Sequence, residues 1–265
     1  MATPRDLLTE LAVLGVAQPA TLRAALRVSP ATLSRLIAAA GEDVYRFGKT
    51  RSLRYARTRS IEGLGRRVPA FRIDEAGVPA PAGTIQLLSG SRVAWEDLRG
   101  ASRVYEGLPP ALVDMAPQGY LGRGFPQRFP ELRLPQRIDD WTDDHRLIAL
   151  GRRGEDCVGN LVVGSESLER FLRPARGEVD QADYQALARA SAADLAGSSA
   201  GGERPKFGAL RREQQVLVKF QPLDVDAAAR RWRDLLWCEW KALETVAAAG
   251  RPAARAALLD ADGWR

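Results

Sequence analysis

The sequence predicts an α+β fold built in three parts, and three observations carry that prediction. Apolar residues recur at helical spacing through the first forty residues and then give way to short extended runs rich in arginine. The middle of the chain alternates short strand-like runs with glycine and proline turns. Near its end a glycine-serine stretch, two extended runs and one long amphipathic helix follow in order. The expected parts are residues 1–67, 68–180 and 181–265.

A chain of 265 residues, 45% hydrophobic and 27% charged, is long enough for two or three domains with interiors of their own, which excludes a mini-protein and global disorder. Two cysteines, Cys157 and Cys238, and one histidine, His145, supply neither a disulfide framework nor a spaced zinc site. They read as thiols of a reducing compartment. The opening MATPRDLLTE lacks the basic-then-apolar pattern of a signal peptide. No apolar run approaches about 18 residues, so the chain reads as cytoplasmic and without a membrane partner. The net charge of +6 is uneven: residues 1–67 hold 12 Lys or Arg against 5 Asp or Glu, a net +7, and the remainder holds 27 against 28. The basicity belongs to one region, which points to a local polyanion-binding surface.

Leu7, Leu8, Leu11 and Leu14 share a helix face that Gly15 closes. A second helix begins near Pro19 and presents Leu22, Ala25 and Leu26. In RVSPATLSRLIAAAG, Ser29 is a good N-cap and Pro30 suits the first helical turn, with Leu33, Leu36, Ile37 and Ala40 on one face. VYRFGKTRSLRYAR then reads as a hairpin turning at Gly48 and Lys49. Three helices followed by a basic hairpin are the order of a winged helix-turn-helix. Its third helix would offer Thr32, Ser34 and Arg35 to a major groove of duplex DNA, while Arg46, Lys49, Arg51, Arg54 and Arg57 would meet phosphates or a minor groove. A protein-docking module with a solvated basic face fits the same pattern.

Gly63 to Pro69 reads as a boundary, followed by strand candidates at Ala70–Ile73, Thr84–Leu88 and Arg92–Trp95 and a short helix carrying Leu112, Val113 and Met115. Pro117 interrupts that helix, and Gly119 to Pro135 reads as an irregular connection. A helix start is expected over Asp140–Asp144, a turn over Gly151–Asp156 and a strand over Cys157–Val163. Asp139, Asp140, Asp143 and Asp144 are explained by capping and solvation rather than metal binding, and His145, without a nucleophile or ligand set beside it, by packing or exposure.

Asp183 to Leu195 reads as a helix running into Gly197, Ser198, Ser199, Ala200, Gly201 and Gly202. This stretch is either a linker or a backbone cradle for phosphate oxygens, since successive N–H groups of small residues can turn closely around an anion. It is neither a Walker-type loop nor a dinucleotide fingerprint. A strand starting at Lys206 and Phe207 and a stronger one over Val216–Phe220, with Lys219 in it, favour the phosphate reading. After Pro222 a long helix follows, on which Trp232, Leu235, Leu236, Leu243 and Val246 form a packing stripe and Glu239 reaches the lysine, with Glu244 as the alternative. Trp237 and Trp240 read as packing residues. The final LLDADGWR reads as the start of another strand.

These segments together resemble the HipA-like serine/threonine kinase toxins, especially the longer YjjJ-type members that begin with a winged helix. PPALVDMAPQGYLGR, GEDCVGNLVVG, GSSAGGERPKF, VLVKF and DLLWCEWKALE carry the resemblance. It implies that residues 181–265 are part of a protein-kinase-like N-lobe, in which Ser198 to Gly202 line an ATP phosphate loop and Lys219 contacts phosphates with Glu239 as its helix partner. It further implies that Ser198, or Ser199 beside it, is a regulatory phosphosite. ATP and Mg²⁺ are the implied cofactors of the complete enzyme. Its catalytic aspartate and Mg²⁺ ligands belong to a C-terminal lobe that this chain lacks, so the chain alone is expected to be inactive. The implied partners are duplex DNA, a separate C-terminal lobe or an antitoxin-type protein, and a protein substrate in translation such as an aminoacyl-tRNA synthetase. The alternative is a DNA-binding regulator that keeps a noncatalytic lobe.

Overall fold

The computed structural model describes residues 2–173, 179–194, 206–211, 214–221 and 226–259. The fold is α+β and divides into two compact units, Met1–Pro117 with Phe129–Pro174, and Gln118–Arg128 with Ala175–Arg265. Among the described residues no helix is long and apolar enough to cross a membrane.

The first unit opens with α1 (Pro4–Leu14), the two-residue strand β1 (Val16–Ala17), α2 (Pro19–Leu26) and α3 (Pro30–Ala40). Thr3 caps α1 in a reciprocal box with Asp6, and Ser29 caps α3 by accepting from the Thr32 N–H. Leu7, Leu11, Leu22, Leu33 and Leu36 are buried together, so the expected apolar faces meet. Leu14 and Ala25 do not join them and are exposed. The hairpin is β2 (Val44–Phe47) and β3 (Arg54–Arg57), and β1 adds to β3 to give the antiparallel order β1-β3-β2. Gly48 leaves β2 at φ +76°, where a Cβ would lie 2.3 Å from the Ser52 carbonyl oxygen. Only glycine makes that turn without displacing backbone.

The other sheet of this unit is built from β4 (Arg67–Ile73), β5 (Pro79–Leu87), β6 (Arg92–Glu96), β7 (Ser102–Glu106) and, later in the chain, β8 (Leu161–Val163). Its order is β7-β6-β5-β4-β8, antiparallel throughout. Arg67 to Pro69 lie inside β4, preceded by a tight turn closed by the Ile61 N–H on the Gly65 carbonyl. Then come α4 (Pro110–Met115), α5 (Gly119–Arg123) and α6 (Phe125–Arg128), the last two in the second unit, so the stretch expected to be irregular holds two short helices. α7 (Asp143–Arg153) and α8 (Ser165–Leu172) complete the first unit. Val68, Ile85, Leu87 and Val93 of the sheet bury Leu112, Leu147 and Leu150 of the helices. Truncating any of these leucines to alanine costs about 2–5 kcal/mol.

Three expectations about this region are corrected. The N-cap of α7 is Thr142, not an aspartate: its hydroxyl accepts from the His145 N–H while His145 Nδ1 accepts from the Thr142 N–H at 3.1 Å. The predicted turn at Gly151 is helix, because Gly151 uses its missing side chain for packing; a Cβ there would lie 2.5 Å from Leu64 Cδ2. The strand predicted from Cys157 begins only at Leu161, since Gly159 turns at φ +113° against the Met115 side chain.

The three-helix region is fastened to the five-stranded sheet within this unit. Arg57 O accepts from Ser89 N–H and Leu87 O from Arg59 N–H. Arg59 also donates to both Asp144 carboxylate oxygens at 2.7 and 2.6 Å, and Arg66 pairs with Asp43. Tyr45 and Ala56 pack with Leu88 and Ala94.

In the second unit α9 (Tyr184–Asp194) precedes an antiparallel hairpin of β9 (Lys206–Arg211) and β10 (Gln214–Lys219), and α10 (Ala227–Ala248) follows. The helix expected over Asp183–Leu195 is thus present as α9, and the sheet has two strands among the described residues. Phe220 lies just beyond β10 and is buried. Leu258 and Leu259 are not in a strand, and residues 260–265 lie outside the described residues.

Candidate anion site and basic face

The hairpin register determines what surrounds Lys219. Residues directly opposite across antiparallel strands share a face, and Lys219 stands opposite Lys206. Phe207 opposes Val218 on the other face, where Phe207 meets Tyr184 edge-on at 6.1 Å and Phe220 at 5.8 Å. That aromatic side anchors the hairpin and turns both lysines the opposite way.

From α10, Glu239 forms an ion pair with the Lys219 ammonium. The Lys219 side chain is 36% exposed and that of Glu239 48%, so the pair contributes about 0–1 kcal/mol to stability. Its larger effect is positional: Glu239 holds the Lys219 side chain in one direction. Like charges opposite each other on a strand pair repel. One carboxylate beside two ammonium groups leaves an excess positive charge suited to an anion with several oxygens, such as a polyphosphate. Lys206 is the functional candidate that reading the sequence missed as a charge. Only the hairpin register, which pairs Gln214 with Arg211, reveals it.

Ser198, Ser199, Ala200, Gly201 and Gly202 lie outside the described residues. Among the described residues no group of three or more His, Cys, Asp or Glu side chains is placed to hold a metal ion. Asp143 instead accepts from the Leu108 N–H at 3.2 Å, and Asp144 holds Arg59.

The basic residues of the N-terminal region fall on two different faces. Val44 and Tyr55 pack against the helices, and by strand alternation Arg46 and Arg57 share their side. Arg54 is on the opposite side with Ala56, half-buried, with its Nη1 enclosed and without a hydrogen-bond partner among the described residues. Arg46, Lys49, Arg51 and Arg57 are exposed, as are Ser34 and Arg35 on α3. Thr32 is half-buried, and its hydroxyl is engaged by Ser29 at 3.0 Å and by Arg35 at 3.3 Å.

A family model described as YjjJ-like toxin, middle domain, matches residues 64–172, which span the five-stranded sheet and its helices. The toxin YjjJ of Escherichia coli strain K12 is 37% identical over 246 residues, covering 88% of this chain and 55% of the toxin. The chain thus spans about half the length of that curated relative. No solved structure matches it.

Proposed function

We propose, on the premise that this chain is homologous to the YjjJ-type toxin family, that its second unit is the nucleotide-holding part of a serine/threonine kinase toxin. Homology supports the toxin role, and the observation that supports the nucleotide reading is the Lys219–Glu239 ion pair with Lys206 across the strand. In this reading Lys206 and Lys219 neutralise ATP phosphates, Glu239 orients Lys219, and Ser198 to Gly202 lie over the phosphates with Ser198 or Ser199 as a phosphorylation switch. ATP with Mg²⁺ would supply the transferable phosphoryl group. The lysines fit its phosphates, but proton abstraction and metal binding need carboxylates from a C-terminal lobe, so transfer to a protein substrate requires that lobe.

An ATP analogue carrying a lysine-reactive acyl phosphate tests this reading. It should acylate Lys206 or Lys219, as mapped by peptide mass spectrometry, and excess ATP should suppress the labelling. Labelling spread over surface lysines and indifferent to ATP would contradict it.

A second reading concerns residues 1–67, where the exposed basic residues on α3 and the hairpin favour a winged helix-turn-helix that binds duplex DNA. Ser34 and Arg35 would face the groove, and Arg46, Lys49, Arg51 and Arg57 the phosphates.

A further inference from the structure

We propose that β7, an edge of the five-stranded sheet, pairs antiparallel with β7 of a second copy of this chain, joining the two sheets about a two-fold axis. An unpaired strand edge is a template for another strand, and folds that keep theirs unpaired shorten, bulge or charge it. The opposite edge, β8, is blunted in that way: it has three residues, flanked by Gly159 at φ +113° and Gly164 at φ +83°. β7 has five residues in unbroken register with β6, without proline or bulge.

The parity of the β6–β7 ladder fixes which backbone groups face outward. The Asp97 N–H donates to the Ala101 carbonyl at 2.9 Å, so by alternation Trp95 with Arg103 and Val93 with Tyr105 exchange backbone hydrogen bonds. The N–H and C=O groups of Ser102, Val104 and Glu106 therefore point away from β6, and among the described residues no strand lies beyond them. This edge complements itself. With the axis at Val104, Val104 meets Val104 of the second copy and Ser102 meets its Glu106, each pair exchanging both backbone hydrogen bonds. Arg103 then stands opposite Tyr105 of the second copy, in the pairing that brings side chains closest. The exposed Arg103 side chain already holds its guanidinium 5.1 Å from its own Tyr105 ring centroid, so pairing brings it a second ring. Sliding the register by one pair either sets Arg103 against Arg103 or takes it away from Tyr105, and leaves Glu106 or Ser102 without a strand residue opposite. The three-helix region is fastened to this same sheet, so the dimer carries two basic faces related by symmetry, as paired DNA half-sites require. That consequence alone rests on the duplex-binding reading.

Sedimentation of the 265-residue chain over a concentration series tests the pairing, and a rise to twice the monomer mass is expected. Val104→Pro removes an N–H that faces away from the sheet, which an edge strand tolerates, and should weaken self-association by about tenfold or more. Circular dichroism checks that this chain folds. The register is read separately from two single-cysteine chains, Arg103→Cys and Tyr105→Cys, each also carrying Cys157→Ser and Cys238→Ser. Mixed and oxidised, they should form the disulfide between unlike chains in preference to either like pair, because the Cα atoms of that pairing lie about 4.5 Å apart. Mass spectrometry counts the three products. A monomer at every concentration would overturn the proposal, as would self-association that a folded Val104→Pro chain retains in full, or disulfides formed without preference for the unlike pair.

Discussion

The Tyr45 phenol has one proton to give, and the Glu96 carboxylate 2.9 Å away can only accept it, so Ser102, 2.7 Å away, donates to Tyr45. Burial pushes the phenol up to about 12 from its ordinary 10; the Ser102 hydrogen bond opposes this and the Glu96 charge adds to it. Between those two values the unfolded chain binds fewer protons than the folded one, so stability falls as pH rises. Below pH 10 the contribution is fully present. A shift of this size corresponds to at most about 2.7 kcal/mol lost across that window, reduced by the water that screens the half-buried phenol. Urea unfolding of the parent and of Tyr45→Phe at pH 9 to about 11.5 should show the steeper decline in the parent. Parallel declines would mean that Tyr45 titrates alike in both states.

At the scale of elements, the two faces of the β2–β3 hairpin should behave differently toward duplex DNA. Each phosphate contact lowers the affinity about in proportion to salt, so Arg46→Ala/Arg57→Ala should reduce the slope of log K against log salt by about 2. Arg54→Ala, on the opposite face, should leave that slope unchanged. A loss of slope from Arg54→Ala alone, or no salt-dependent binding by the parent, would contradict the placement of the DNA surface.

The three N-terminal helices were legible because leucine spacing and, for α3, the Ser29 cap act within a few residues of each other. The strands β1 and β7 were not, since a two-residue strand and the half-exposed Ser102–Glu106 acquire their state from neighbours far along the chain. Gly151 misled for a related reason: its use is decided by Leu64, 87 positions earlier. The pairing of Lys219 with Glu239 was within reach because one strand and one helix follow in order, whereas Lys206 needed the register. The long helix was legible, but not that Leu235 and Val246, expected in its packing stripe, are exposed, since inward and outward residues obey the same spacing.

For the whole molecule, the first unit joins a basic helical region to the five-stranded sheet, and the second presents two lysines and a glutamate on a hairpin and a partly exposed helix. The central claim is that those lysines hold nucleotide phosphates, and isothermal titration of the 265-residue chain with ATP tests it most directly. Lys219→Ala and Lys206→Ala should each weaken binding by tenfold or more, about 1.4 kcal/mol, while Lys241→Ala, on the exposed surface of α10, should leave it unchanged. Absence of ATP binding by the parent, or equal affinity in Lys219→Ala and the parent, would contradict the account.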